Sequence, residues 1–133
     1  VWYQAVVRGD VNFITMGDRV NIQDGAVIHG TFERSSTIIG NDVSIGHNAI
    51  VHGCTIQDRV LVGMGSIIMD DSEVGSNSII AAGSVLPKNT IVPEGSVFAG
   101  IPAKKIKEVS SELQKGEIER IAMNYIQYAS WFR

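Results

Sequence analysis

The chain has 133 residues, of which 44% are hydrophobic and 19% charged, and its formal net charge at pH 7 is −3. This size and composition are ordinary for one globular domain with a hydrophobic core. The sequence has no basic patch and no apolar run of about 18 residues, so we expect neither a nucleic-acid partner nor a membrane-spanning helix. A single cysteine, Cys54, excludes an internal disulfide and fits a reducing compartment. The first residues lack signal-peptide features, and we expect the cytoplasm or an organelle matrix.

The chain opens with VWYQAVV, which has the composition of a strand and no preceding cap. An uncovered strand at the end of a β-structure exposes unpaired backbone groups. We therefore expect a preceding segment in the natural protein, or another element, to cover this end.

From there, aliphatic residues recur in steps of six through most of the chain. A period of six fits neither a helix nor a half-buried strand, but it fits a short strand and a turn repeated. Three such units complete one triangular coil of about 18 residues, and stacked coils pair their strands about 4.8 Å apart. One step, from Val51 to Ile56, is only five residues long. The series is Met16, Ile22, Ile28, Ile39, Ile45, Val51, Ile56, Val62, Ile68, Val74, Ile80, Leu86, Val92 and Phe98.

Small or β-branched residues follow many of these aliphatic residues by four positions, where a tight corner needs a small side chain. The repeat therefore predicts an all-β solenoid, a parallel β-helix of hexapeptide repeats over residues 1–105, in preference to a β-sandwich of short strands. The corner residues are Val43, Ala49, Ser66, Ser78, Ser84 and Ser96.

The stretch TFERSSTI, residues 31–38, breaks the six-residue rhythm and predicts a loop that bulges from one corner. Its only acidic residue is Glu33.

The three histidines lie within two coils. His29 and His52 each follow an inward aliphatic residue, so their side chains should point outward, and His47 should lie near a corner. The 17 residues from Ile28 to Ile45 amount to one coil, so we expect His29 and His47 at almost the same angular position on successive coils, as neighbours, and His52 on the next face. Outward histidines are ordinarily solvated surface residues. If rods associate about a three-fold axis, however, histidines of two chains can close on one ion, and three imidazoles with an open position form a catalytic zinc site.

The repeat ends at FAGIPAKKIKEV, where Pro102 lacks the N–H group that a ladder requires. Ser111 and Gln114 then resemble a capping box, and a single apolar stripe follows. We expect residues 106–133 to contain a helix at roughly 110–130 that packs on the β-helix or on a neighbouring subunit. The stripe is Ile118, Ile121, Ala122, Tyr125 and Ala129.

Four segments resemble, in order, the gamma-class carbonic anhydrase family: AVVRGDVNFITMG, NIQDGAVIHG, TIIGNDVSIGHNAIVHGC and DRVLVGMGSIIMDDS. The resemblance covers residues 1 to about 105 and includes relatives often labelled hexapeptide transferases. It implies a left-handed β-helix with a C-terminal helix, assembled as a homotrimer. It also implies Zn²⁺, or alternatively Fe²⁺ or Co²⁺, at the subunit interfaces.

The resemblance also implies the metal ligands, which match His29, His47 and His52, with His47 supplied by a neighbouring subunit. A hydroxide formed at the metal would attack CO₂ and give bicarbonate.

Further residues match the family pattern around this metal. Arg8 and Asp10 match a pair that bridges subunits. Gln23 matches the residue that orients the hydroxide, and Asp24 matches an acidic residue linked to the intersubunit arginine. From the helix, Asn124 and Tyr125 are further candidates.

The chain departs from the family pattern where a proton must be exported, because Val11 replaces an acidic residue and the loop at 31–38 is short. Two alternatives stay open. One is an acyltransferase of the same fold that uses acetyl-CoA and a histidine as general base. The other is a non-catalytic metal-binding or assembly protein.

Overall fold

The computed structural model describes residues 1–132, in which the chain winds through three sheets, here named faces A, B and C. Each coil passes from A to B to C, and neighbouring coils pair in parallel. Face A contains β1 (Val6–Val7), β4 (Val27–His29), β7 (Ile50–His52), β10 (Ile67–Ile68) and β13 (Val85–Leu86). Face B contains β2 (Ile14–Met16), β5 (Thr37–Ile39), β8 (Thr55–Ile56), β11 (Glu73–Val74) and β14 (Ile91–Val92). Face C contains β3 (Asn21–Ile22), β6 (Ser44–Ile45), β9 (Leu61–Val62), β12 (Ile79–Ile80), β15 (Ser96–Gly100) and β16 (Ala103–Glu108).

A column of aliphatic side chains fills the interior of the coils. The predicted inward residues from Ile22 to Val92 are all at most 2% exposed, and Phe98 is 8% exposed. The predicted corner residues are at most 1% exposed, so the six-residue repeat is confirmed. Met16 is the exception at 38% exposed, because it lies on the edge strand at the open end of face B. Burial of one such aliphatic side chain stabilises the fold by about 1.5–3 kcal/mol.

One coil is longer than the others. Leu61 follows its pairing partner Ser44 by 17 positions in the sequence. Ser44, in contrast, follows its own partner Asn21 by 23 positions. The extra residues form the predicted loop, which is closed by a bridge between Thr31 and Ser35. The loop bulges outward between faces A and B and leaves the register of the strands on either side intact.

The last strand reverses direction. β15 and β16 pair antiparallel through a turn at Ile101 and Pro102, where the parallel repeat stops as predicted. β16 itself was not predicted, because AKKIKE is mostly charged and lacks the inward aliphatic pattern. Charged side chains are common on edge strands, where they discourage pairing with other chains.

The predicted C-terminal helix is confirmed. α1 (Ser111–Leu113) continues through a π-helical turn (Gln114–Glu119) into α2 (Arg120–Ser130). The helix lies on face C of its own chain, where Ile118, 1% exposed, packs against Ile79 and Val97. Within residues 1–132, no helix is both long enough and apolar enough to cross a membrane.

Candidate metal centre

The ends of two neighbouring strands on face A bring two histidines together. His29 ends β4 and His52 ends β7, and the parallel register places them side by side. Nδ1 of His29 lies 3.3 Å from Nε2 of His52, and the ring planes are inclined by 68°. Both side chains point away from the interior column, as predicted, with 15% and 32% of their surfaces exposed.

The prediction that His29 would neighbour His47 is wrong. It treated the segment from Ile28 to Ile45 as one coil, but the coil that begins at His29 returns to the same face only after 23 residues. The loop at 31–35 lies within that coil and shifts every later residue. The register therefore pairs His29 with His52 and leaves His47 at the corner between faces C and A.

A carboxylate holds each histidine of the pair. Asp10 Oδ1 lies 3.0 Å from Nε2 of His29, and Asp70 Oδ1 lies 2.6 Å from Nδ1 of His52. An ionised carboxylate only accepts hydrogen bonds, so these contacts place the ring N–H groups at those two nitrogens. In neutral imidazoles the remaining nitrogens carry lone pairs, and here the two lone pairs face each other. Facing lone pairs repel each other, and a metal ion held between them would relieve that repulsion.

The spacing of the two nitrogens fits a metal ion. Two Zn–N bonds of about 2.0–2.1 Å at a tetrahedral angle place their nitrogens about 3.3 Å apart. Imidazole nitrogen is also a suitable ligand for iron and cobalt. Within residues 1–132 of a single chain, no group of three His, Cys, Asp or Glu side chains is placed to hold a metal. Two adjacent imidazole nitrogens are therefore what residues 1–132 of one chain place together here.

His47 lies on another part of the surface, with 42% of its side chain exposed. Its Nδ1 is 3.3 Å from Oδ1 of Asp24. Gln23 is 5% exposed, and its Nε2 donates a hydrogen bond of 3.0 Å to Asn21, which donates in turn to Ser44 at 2.7 Å. The side chain of Gln23 is therefore fixed before any ligand arrives.

A cleft of about 400 Å³ adjoins His47. His47 and Gln23 lie on its β-helix wall, while Asn124 and Tyr125 line it from α2. Burial raises the pKa of Tyr125, and the nearby carboxylate of Asp24 raises it further. The structure thus gathers four predicted residues around this cleft and places the histidine pair elsewhere.

Arg8 and Asp10 form an ion pair within one chain. Nη1 of Arg8 donates to Oδ2 of Asp10 at 2.6 Å, and both side chains are about half exposed, at 54% and 50%. The hydrogen bond from Arg8, followed by that from His29, lowers the pKa of Asp10 below its ordinary value. Asp10, Val11 and Glu33 line a common cleft, so the acidic residue of the loop lies on the same side of the rod as the histidine pair.

Two family models match the repeat: "Bacterial transferase hexapeptide (six repeats)" over residues 53–88 and "Hexapeptide repeat of succinyl-transferase" over residues 36–69. "Gamma carbonic anhydrase 2, mitochondrial" of Arabidopsis thaliana is 40% identical over 134 residues, which cover 97% of this chain and 48% of that protein. "Probable carbonic anhydrase" of Methanocaldococcus jannaschii is 50% identical over 128 residues, 96% of this chain and 77% of that protein. The chain belongs to the gamma carbonic anhydrase-like family.

A solved structure confirms the fold of this gamma carbonic anhydrase-like chain. A hexapeptide transferase family protein from Anaplasma phagocytophilum is 40% identical, with a TM-score of 0.92 over 99% of this chain and 76% of that one. Together with the three parallel sheets, this likeness establishes the left-handed β-helix with a C-terminal helix.

Asp70 is absent from the residues predicted from the sequence. It lies 18 residues after His52, one coil further along, so counting coils from the histidine would have found it. Burial raises the pKa of Asp70, but hydrogen bonds from Thr31 and His52 outweigh this effect and hold the pKa below its ordinary value. Cys54, by contrast, is a buried small residue as expected, and burial raises the pKa of its thiol to about 12.

Proposed function

We propose that this gamma carbonic anhydrase-like chain is a metal-dependent enzyme that converts CO₂ into bicarbonate as a homotrimer. His29 and His52 of one subunit and His47 of a neighbouring subunit hold the metal, which is Zn²⁺ or alternatively Fe²⁺ or Co²⁺. One observation supports the proposal: ring nitrogens of His29 and His52 face each other at 3.3 Å, a spacing that suits two ligands of one metal ion.

The outer surface of face A supports the contact between subunits. Five outward aliphatic residues stand in register on this face, one from each strand, and each remains at least partly exposed. Continuous exposed apolar surface of this kind is typical of protein–protein contacts. His29 and His52 lie two residues beyond ladder positions of their own strands, so a subunit docked on face A would lie beside them. The ladder is Val6, Val27, Ile50, Ile67 and Val85.

The chain's own residues have separate tasks in this reaction. A divalent metal supplies Lewis acidity that activates water for attack on CO₂ at neutral pH. Gln23, already fixed by Asn21, would orient the attacking water. Asp24 would orient the ring of His47, and Arg8 would provide positive charge that attracts the bicarbonate product.

Subunit mixing tests the shared site. His47→Ala and His52→Ala should each yield a folded trimer without metal, because each removes one ligand from every site. In trimers formed from both variants, a complete site forms where the His29–His52 pair of a His47→Ala subunit meets the His47 of a His52→Ala subunit. Random mixing should therefore return about a quarter of the wild-type metal content, measured by elemental analysis with light scattering for the mass. A mixture that stays free of metal would contradict a site built from two subunits.

Two further measurements separate the proposed enzyme from its alternatives. Stopped-flow CO₂ hydration by zinc- and iron-loaded protein distinguishes an enzyme from a metal-binding or assembly protein that lacks activity. Calorimetry with acetyl-CoA tests the acyltransferase function. The Anaplasma relative is described as a hexapeptide transferase family protein.

A further inference from the structure

We infer that Asp70 is a positioning residue of this centre, which holds His52 with Nε2 directed at the metal and is itself held by the loop at 31–35. The inference rests on the proposed function and adds a residue to it that the family resemblance did not indicate.

The contact between Asp70 and His52 is short and sheltered. Oδ1 of Asp70 lies 2.6 Å from Nδ1 of His52, and the Asp70 side chain is only 13% exposed. This length is slightly below the roughly 2.7–2.9 Å of charge-assisted N–H···O hydrogen bonds. Because Nδ1 carries the proton in this contact, Nε2 is left with its lone pair, and Nε2 is the atom that faces His29. A carboxylate in this position fixes both the tautomer and the orientation of a metal-binding ring.

The other oxygen of the same carboxylate connects the histidine to the inserted loop. Oδ2 of Asp70 accepts a hydrogen bond from the hydroxyl of Thr31, which begins the loop closed by the Thr31–Ser35 bridge. The neighbouring Asp71 accepts a hydrogen bond of 3.0 Å from Ser35 of the same loop. Of these two adjacent aspartates, only Asp70 contacts a histidine within residues 1–132. Both aspartates anchor the loop, and Asp70 in addition positions His52.

The five-residue step of the repeat, from Val51 to Ile56, makes a tight corner next to this contact. Gly53, directly after His52, has a φ of +58°, and a Cβ built there would lie 2.9 Å from Cγ of Asp70 and 2.8 Å from Cβ of Ser35. A side chain at this corner would displace the carboxylate. The tight corner therefore allows a residue of the next coil to reach back to His52.

Asp10 offers a natural comparison. It accepts from His29 at 3.0 Å, but half of its side chain is exposed, and Arg8 shares its charge. Water can replace an exposed hydrogen-bond acceptor far more easily than a sheltered one. The loss of Asp70 should therefore disturb the centre more than the loss of Asp10.

The test compares Asp70→Asn with Asp71→Asn in the full chain. Asp70→Asn should weaken Zn²⁺ binding about 10–100-fold in chelator competition and alter the visible spectrum of the Co²⁺ form. Asp71→Asn removes the same charge from the adjacent position, where the carboxylate contacts the same loop through Ser35, and should change neither. Thr31→Val, which removes only the hydroxyl that orients Asp70, should weaken binding in the same direction but by less.

A second readout uses metal-free protein. In ¹⁵N NMR spectra of the histidine rings, wild-type His52 should carry its proton on Nδ1, and Asp70→Asn should move part of that population to Nε2. If Asp70→Asn fails to fold, Thr31→Val measured in the same two ways decides. If a folded Asp70→Asn protein has the metal affinity, cobalt spectrum and His52 tautomer of the wild type, the inference is overturned. The proposed function is not affected by that outcome. A wild-type chain that binds no metal would overturn the proposed function and, with it, the metal-directed part of this inference.

Discussion

Faces A and C both carry outward aliphatic residues, but only those of face C are covered by the C-terminal helix of the same chain. On face C the outward residues Leu61, Ile79 and Val97 pack against the C-terminal helix, and Ile79 and Val97 are buried at 9% and 5% exposure. On face A the equivalent ladder includes Ile50 and Ile67, which stay half-buried. Face A is also the face that carries the histidine pair.

This difference shows that an apolar outer face does not by itself identify what covers it. Face C is completed by its own chain, so its packing contributes to the stability of the monomer. Under the proposed function, face A is covered by a second copy of the chain, which brings His47. Changes on the two faces should therefore have different consequences, one for assembly and metal content, the other for folding.

The largest effect is expected on face A. Ile67→Lys places a charge within the ladder, where a docked subunit would have to bury it at a cost of several kcal/mol. Within one chain the lysine can extend into water, so the fold should persist. The trimer should dissociate at micromolar concentration, as measured by light scattering, and the metal should be lost with it.

Ile91→Lys on face B is the matched control, because Ile91 also points outward from a strand and is 58% exposed. Ile91→Lys should remain a trimer with full metal content. If Ile67→Lys were also a metal-loaded trimer, face A would not be the contact surface.

A smaller effect, on folding and not on assembly, is expected on face C. Ile118→Ala leaves a cavity where the helix anchors to Ile79 and Val97 and should lower the free energy of unfolding by about 2–5 kcal/mol. Urea unfolding at one fixed protein concentration measures this change, because an oligomer's apparent stability depends on concentration. Ile126→Ala, on the same helix at 43% exposure, should change it by less than about 0.5 kcal/mol. Equal effects of the two substitutions would show that the helix does not depend on face C.

The fold could be predicted because the repeat itself determines the interior. Each inward aliphatic residue is fixed by the six-residue period, and every one from Ile22 to Val92 is buried. β16 could not be predicted this way, since its charged sequence pairs through backbone hydrogen bonds that carry no side-chain signal.

The site was only partly predictable, because the pairing register of neighbouring coils decides which side chains meet. The outward direction of His29 and His52 follows from their place after inward residues, but their pairing depends on a coil whose length the inserted loop changes. Asp70 meets His52 only through the same register. The roles of Arg8, Asp10, Gln23, Asp24, Asn124 and Tyr125 stay predictions, since they depend on a neighbouring subunit and a metal.

The smallest effect concerns the residue that starts the helix on face C. The sequence pattern indicated Ser111 as the cap, but Oγ of Ser110 accepts the hydrogen bond from the backbone N of Leu113 at 3.1 Å, and Ser111 is already helical. Both serines precede a plausible first turn, so composition could not choose between them. Ser110→Ala leaves that N–H without its acceptor and should lower the free energy of unfolding by about 1 kcal/mol. Ser111→Ala should be neutral within about 0.5 kcal/mol in the same urea titration. If Ser111→Ala were the more costly of the two, the capping box indicated by the sequence would be the correct assignment.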